Sequence, residues 1–185
     1  MSVAADLFYN QGYRATGINE VIDKSGVAKA TFYSHFPSKD DLGLAYLRQV
    51  KEGEIAHVEN FIRAAKGPVN RFLSVMKSLE PWLQDTNYRG CGFINMAAEV
   101  PDPKSKLRKV GKEVYDEIRL QVEALSEELI ASDKKNYGHL DAKVLSYEYM
   151  MAMTGAIALA EIYHAIWPVE DALNTVRRLI GQQTG

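Results

Sequence analysis

Residues 7–16 read Leu-Phe-Tyr-Asn-Gln-Gly-Tyr-Arg-Ala-Thr, and residues 25–42 read Ser-Gly-Val-Ala-Lys-Ala-Thr-Phe-Tyr-Ser-His-Phe-Pro-Ser-Lys-Asp-Asp-Leu. Apolar side chains recur there at three- and four-residue steps, which predicts helices rather than strands. Thr16 is a candidate N-cap for the second helix. Gly26 suits the left-handed conformation that ends a helix sharply, so the chain can turn and begin a third helix over 28–35. This pattern predicts a helix-turn-helix.

The short third helix is expected to have one buried and one exposed face. Val27, Phe32 and Phe36 are expected to point into the core. The opposite face and its flanks then carry Lys29, Ala30, Thr31, Tyr33, Ser34 and His35. This mixture of hydrogen-bonding and small apolar groups can contact base edges in a DNA major groove. The backbone N–H groups of Thr16 and Gly17 begin the second helix, where a phosphate oxygen can bind.

These segments resemble the DNA-binding domain of the TetR family of bacterial transcription regulators. The shared elements are the Leu-Phe and Gly-Tyr pairs of the first helix, the threonine that opens the second, the turn around Gly26 and the pattern over 31–42. The resemblance covers about the first quarter of the chain, and residues 89–99 also resemble the sixth-helix segment of some members. It implies that Tyr33 and Lys39 contact phosphate. It further implies a homodimer, bound to double-stranded operator DNA and released by a small-molecule effector, which makes a repressor the expected function.

Two features depart from the family pattern. Members commonly carry further residues before the position of Met1, so we expect the first helix to be shortened at its N-terminus. Ala28 stands where the family often has a serine that caps the recognition helix, and its absence costs about 1 kcal/mol. Residues 1–48 contain five Lys or Arg and five Asp or Glu, so this segment is formally neutral. Fewer phosphate contacts would weaken binding to every DNA sequence alike.

Composition favours an ordinary globular protein, and the helical periodicity of the apolar residues predicts that it is all-α. The 185 residues are 46% hydrophobic and carry a net charge of -2 without long single-sign runs. A single cysteine excludes an intramolecular disulfide, which fits a reducing compartment. The N-terminus lacks a secretory signal pattern, and the longest uncharged run, 149–160, is shorter than the about 20 residues that span a bilayer. We therefore expect a cytoplasmic protein without a membrane segment.

The periodicity predicts about nine helices in two domains. Residues 1–43 are expected to form the helix-turn-helix DNA-binding domain, and residues 44–185 a ligand-binding and dimerisation domain. The fourth to ninth helices are expected at 39–65, from Pro68 to about Leu83, at 91–99, after the Asp102-Pro103 cap, at 141–166 and from Pro168 onward.

Two surfaces of the second domain are candidates for binding. An effector pocket, largely apolar, is expected among Phe72, Met76, Trp82, Phe93, Met96, Tyr115, Tyr149 and Met153. The same residue types are the usual content of a packed core, so both interpretations stay open. The dimer interface is expected to be a four-helix bundle of the last two helices, through Ala152, Gly155, Ala156, Ala160, Leu173, Val176 and Ile180.

The main alternative function is that of a di-metal carboxylate oxidase. Both 54–57 and 161–164 read Glu-x-x-His on predicted helices, as in ferritin-like sites, but bridging glutamates on two further helices are not evident. Cys91 can be read as a redox-sensing thiol or, in its apolar segment, as a buried and inert one. No nucleophilic triad or phosphate loop is found in the sequence, so we expect neither an enzyme nor a cofactor or metal site.

Overall fold

Helices account for nearly all the regular structure of this chain. The computed structural model describes residues 1–182, and in that range no β-strand is found and no helix is long and apolar enough to cross a membrane. The helices are α1 Ser2–Asn10, α2 Ile18–Ser25, α3 Lys29–His35, α4 Lys39–Ala64, α5 Pro68–Lys77, α6 Leu79–Asp85, α7 Gly92–Glu99, α8 Lys106–Ser132, α9 Lys134–Tyr137, α10 Ala142–Tyr163 and α11 Trp167–Leu179. The predicted all-α class is confirmed.

By its contacts the chain divides into two compact units. The first, here the N-terminal unit, comprises residues 1–53 together with 91–114. Its aromatic core centres on Phe8, whose ring lies 5.2 Å from that of Tyr13 and 5.6 Å from that of Tyr46. Further apolar side chains buried in this unit are Leu7, Val21, Ile22, Phe32, Leu42, Leu47, Phe93, Met96, Leu107, Val110 and Val114. The segment that includes α7 thus belongs to the same unit as the helix-turn-helix.

The second, or C-terminal, unit comprises residues 54–90 and 115–185. In it α11 packs on both α10 and α5. At its centre the Phe72 ring meets the Tyr149 ring edge-on at 5.1 Å, and the Tyr149 hydroxyl accepts the backbone N–H of Met76. All three residues are fully buried. The DNA-binding domain at 1–43 and the ligand-binding and dimerisation domain at 44–185 remain a prediction.

Two helix boundaries differ from those predicted. The predicted fifth helix is two helices, because Pro81 lacks the N–H that an uninterrupted helix would need and fits only the first turn of a new one. Ser78 separates α5 from α6 and donates its hydroxyl to the Val75 carbonyl oxygen at 2.8 Å. Asp102 closes a turn by accepting the Lys104 N–H instead of capping a helix, so α8 begins only at Lys106.

Candidate DNA, effector and dimer surfaces

Helix α3 presents its polar face to solvent, as the sequence predicts. Its one fully buried side chain, Phe32, packs against Phe36 with ring centroids 5.8 Å apart. The six predicted contact residues on the other side, Lys29, Ala30, Thr31, Tyr33, Ser34 and His35, are all exposed. The Tyr33 ring rests edge-on against Phe32 at 5.4 Å, which holds it at the border of the exposed face. The helix therefore offers a continuous surface of donors, hydroxyls and the two methyl groups of Ala30 and Thr31.

The turn before α3 differs from the prediction at one residue. Gly26 ends α2 in the left-handed conformation at φ 67°, as predicted, but Val27 is 40% exposed instead of buried. Val27 lies in the turn, outside the helical periodicity, so its direction depends on the turn geometry. Its exposed methyl groups join the α3 surface and can contact a thymine methyl. Ala28 is the N-cap of α3 and makes no side-chain capping bond.

The start of α2 also requires a correction. Thr16 is not the N-cap: its side chain is buried, with the hydroxyl 2.8 Å from the Gly12 carbonyl oxygen and 3.2 Å from that of Leu7. Its backbone N–H also bonds to the Gly12 carbonyl oxygen, at 3.3 Å. The N-cap is Gly17, which is exposed and has open space around its Cα. Of the two predicted phosphate-binding amides, Gly17 retains the required exposure and Thr16 does not.

Lys39 and Arg14 lie beside this N-terminus. The Lys39 ammonium is 3.3 Å from the Arg14 carbonyl oxygen and 4.6 Å from the centre of the Tyr13 ring. Burial lowers the pKa of Lys39, whereas the nearby carboxylates of Glu99 and Asp40 oppose that change. The Arg14 side chain itself is exposed, and it was missed as a candidate phosphate contact. The available signal was its position three residues before Gly17, the N-cap of α2.

The residues predicted to line an effector pocket are divided between the two units. Phe93 and Met96 belong to the N-terminal unit, and the other six to the C-terminal unit. Phe72, Met76, Tyr149 and Met153 are buried and serve as core, whereas Trp82 and Tyr115 are partly exposed. Aromatic and methionine content alone could not separate a packed core from a pocket, because both use the same residues.

A different concavity lies among α4, α5 and α8 of the C-terminal unit. Its volume is about 280 Å³, and its lining is Glu59, Ile62, Arg63, Arg71, Gln121, Ala124, Leu125 and Glu128. Arg71 donates from Nε to the Glu128 carboxylate at 3.0 Å. The Gln121 Oε1 atom is buried and has no hydrogen-bond partner within the described chain. Charged side chains line this groove although most of its exposed surface is apolar, and no pattern in the sequence indicates it.

Four of the seven predicted dimer residues are buried within the C-terminal unit, so they are not available to a partner. Ala156, Ala160, Val176 and Ile180 are at most 3% exposed, because α10 and α11 bury them against each other and their own unit. Of the remaining three, Gly155 is exposed, and Ala152 and Leu173 are partly buried. The exposed apolar surface of α10 lies on another face, here called the α10 stripe: Val144, Tyr147, Met151, Gly155, Leu159 and Ile162. These residues repeat at three- and four-residue steps, as one side of a helix does.

In the two Glu-x-x-His pairs, three of the four side chains bond to or pack against other residues of the C-terminal unit. The His57 Nε2 atom bonds with the Ser78 carbonyl oxygen at 2.9 Å. Glu161 pairs with Arg89 at 2.7 Å, and the His164 ring packs at an angle against the Tyr88 ring, with centroids 4.8 Å apart. Among residues 1–182 no group of three or more His, Cys, Asp or Glu side chains is arranged to hold a metal ion. Cys91 is a buried thiol at the N-cap of α7.

Comparison with known proteins identifies relatives of this chain by their amino-acid sequences. Residues 1–46 match the family described as bacterial regulatory proteins, tetR family. The regulator LmrA of Bacillus subtilis is 30% identical over 119 residues, which cover 63% of each chain, so the match spans less than two thirds of that relative. The repressor NemR of Escherichia coli is 23% identical over 97% of this chain and 91% of its own.

Solved structures extend the likeness to the full fold. SCO4454, a TetR-family regulator from Streptomyces coelicolor, superposes with a TM-score of 0.86 at 27% identity, over 97% of this chain and 85% of that one. A TetR regulator from Chloroflexus aurantiacus gives 0.83 at 27% identity, over 98% and 91%. The likeness therefore extends beyond the helix-turn-helix segment to both units.

Proposed function

Because this chain belongs to the TetR family of bacterial regulatory proteins, we propose that it is a dimeric transcriptional repressor that a small molecule releases from operator DNA. The observation that carries the proposal is the exposed face of α3, held outward by the buried Phe32. In a helix-turn-helix, side chains on such a face reach base edges, whereas contacts to phosphate fix the register. The di-metal alternative is not supported.

Roles follow from the chemistry of each group. Lys29 can donate to guanine acceptors, Ala30 and Val27 can pack against thymine methyls, and Thr31 offers both a hydroxyl and a methyl. Gly17 and Arg14 would bind phosphate at the N-terminus of α2, where the helix dipole favours an anion. Tyr33, Ser34, His35 and Lys39 complete the proposed DNA contacts. Base contacts would therefore come from the turn and α3, and phosphate contacts from their surroundings.

The dimer would form through the α10 stripe. Its six positions, which follow one another at three- and four-residue steps along one side of α10, expose four large apolar side chains and one tyrosine around Gly155. Exposed apolar surface of this extent, on a helix otherwise buried in its own core, favours a protein partner. A second copy is the occupant proposed here, since the family relatives are helix-turn-helix regulators and such dimers bind half-sites about 34–36 Å apart.

The effector would bind in the groove among α4, α5 and α8. The exposed Arg63 suits an anionic group, the unpaired Gln121 carbonyl suits a donor, and Ile62 and Leu125 suit an apolar portion. We therefore propose an effector that is largely apolar, as expected from the sequence, and that carries one anionic group. Binding there would change the separation of the two α3 helices, so that it no longer matches the spacing of successive major grooves. The affinity for the operator would then fall.

The DNA-binding proposal is tested with lysine variants. A duplex site is first selected from a random pool by the unaltered protein, and affinity is then measured by fluorescence anisotropy on that site and on a scrambled one. Lys29→Ala should cost about 1–3 kcal/mol on the selected site and little on the scrambled one, because base contacts carry specificity. Lys39→Ala should weaken both and flatten the salt dependence. Lys143→Ala on α10 is the control with the same charge change.

Two results would contradict the proposal. One is the absence of any duplex affinity in the unaltered protein at low salt. The other is an equal loss on selected and scrambled DNA for Lys29→Ala, which would reduce Lys29 to a general positive charge.

A further inference from the structure

The turn between α1 and α2 is held by side chains from two distant helices. The Glu99 carboxylate, on the last residue of α7, accepts the backbone N–H of Tyr13 at 3.1 Å and that of Arg14 at 2.6 Å. From the start of α4, Lys39 donates to the Arg14 carbonyl oxygen at 3.3 Å. Both polar groups of Arg14's backbone are thus bonded to side chains that are remote in sequence.

A glycine makes this arrangement possible. Gly12 adopts a φ of +100°, and a Cβ at that position would lie 2.8 Å from the nearer Glu99 carboxylate oxygen. Any other residue would therefore meet both backbone strain and the carboxylate. Hydrogen bonds from backbone N–H groups to an ionised carboxylate are about twice as strong as neutral ones. The turn is consequently fixed by two strong bonds that only this glycine accommodates.

The turn leads directly into the DNA-facing end of α2. Thr16 bonds back to Gly12 through both its hydroxyl and its N–H, so the position of the turn determines the position of the next residue, Gly17. Gly17 is the exposed N-cap. A continuous chain of bonds therefore leads from the Glu99 carboxylate to the amide proposed to bind phosphate.

We infer that Glu99 is a positioning residue of the DNA interface, whose carboxylate holds the α1–α2 turn and thereby sets the phosphate-binding N-terminus of α2. Glu99 does not itself touch DNA, and as an anion it would repel phosphate. Because it lies on α7, a displacement of α7 would be transmitted directly to α2. This inference rests on the proposed function, of which it names a residue for the DNA-binding step.

The experiment compares Glu99→Ala and Glu99→Gln with Glu113→Ala, which removes an exposed carboxylate from α8 in the same unit. Amide hydrogen exchange of Tyr13 and Arg14 is measured by NMR without DNA. Affinity for the selected duplex is measured between about 50 and 200 mM KCl. Glu99→Ala should accelerate exchange of both amides about ten-fold, the factor for about 1.4 kcal/mol of lost hydrogen bonding. Glu99→Gln retains one acceptor oxygen and should keep one amide protected.

The DNA arm separates positioning from charge. Glu113→Ala should bind DNA slightly more tightly, since a negative charge is removed. Glu99→Ala should instead bind several-fold more weakly, with a salt slope reduced by about 0.9 for each phosphate that the variant no longer neutralises. Glu99→Gln should lie between Glu99→Ala and the unaltered protein.

Three results would overturn the inference. One is unchanged exchange of both amides in Glu99→Ala, and another is DNA affinity that rises in Glu99→Ala as it does in Glu113→Ala. The third is an unaltered protein that binds no duplex, which would refute the proposed function itself and the inference with it. If Glu99→Ala does not fold, Glu99→Gln alone decides, because one amide must lose protection.

Discussion

Replacing Ile162 with aspartate should dissociate the proposed dimer without unfolding the protomer. Ile162 is 73% exposed in the single chain, so it contributes little to the stability of its own unit. In a two-fold interface each substitution occurs twice, once on each side. The substitution therefore has little effect on the folding free energy of the protomer, whereas its effect on the free energy of dimer association is counted twice.

The magnitude follows from the exposed surface. Complete burial of an isoleucine side chain contributes about 1.5–3 kcal/mol, and roughly three quarters of this side chain remains to be buried, which leaves about 1–2 kcal/mol per copy. Two copies give about 2–4 kcal/mol, and two unpaired carboxylates at the interface add several more. A total loss of at least about 4 kcal/mol raises the dimer dissociation constant about a thousand-fold.

Sedimentation equilibrium over a wide range of protein concentration measures that constant. Leu120→Asp is the matched control, since Leu120 is 55% exposed but lies on α8, outside the α10 stripe. Ala156→Asp should behave differently from both, because Ala156 is buried in its own unit and the variant should fail to fold. If Ile162→Asp dimerises as tightly as the unaltered chain, the stripe does not form the interface.

Two further predictions concern stability. Burial raises the pKa of the Glu54 carboxyl to about 7, so the folded state binds a proton that the unfolded state releases, and stability falls as pH rises from about 5 to 8. This loss is about 3 kcal/mol at most, and Glu54→Gln should remove most of it. Urea unfolding at both pH values measures it, and a variant whose stability depends on pH as much as that of the unaltered protein would refute the prediction. Gly90→Ala should cost at least about 1–3 kcal/mol, because Gly90 has a φ of +79° and its added Cβ would lie 2.1 Å from the Glu161 carboxylate. In the double variant with Glu161→Ala, the stability lost to the clash should be recovered, whereas the loss caused by the positive φ should remain. If the stability losses of the two single variants simply add, the Cβ does not meet the Glu161 carboxylate.

The helix-turn-helix could be predicted because its determinants are local. Phe32 and Phe36 lie one turn apart, Gly26 ends α2 in the left-handed conformation, and both features are visible in the sequence. The capping aspartate of α10 is of the same kind: the Asp141 carboxylate accepts the Val144 N–H at 2.9 Å. Such signals depend on spacings of one to four residues, which the sequence states directly.

Features that depend on distant partners could not be predicted. Val27 and Thr16 lie in turns, where periodicity does not determine whether a side chain points inward. The bonds of Glu99 to the α1–α2 turn span more than 80 residues of sequence. Nothing in the α7 segment distinguishes this carboxylate from a solvated one. Tertiary structure was needed to bring it beside a glycine with a positive φ.

The sequence does not distinguish the proposed dimer surface because α10 is apolar around most of its circumference. Ala152, Ala156 and Ala160 form an alanine ridge on a different face of α10 from the α10 stripe, and the packing of α11 helps to determine which face is left for a partner. An alanine ridge would let helices approach closely, whereas Met151, Ile162 and Leu159 need the wider end of the usual 8–10 Å spacing between packed helices. Close approach remains possible only at Gly155, so we expect two copies of α10 to cross there and to diverge toward both ends.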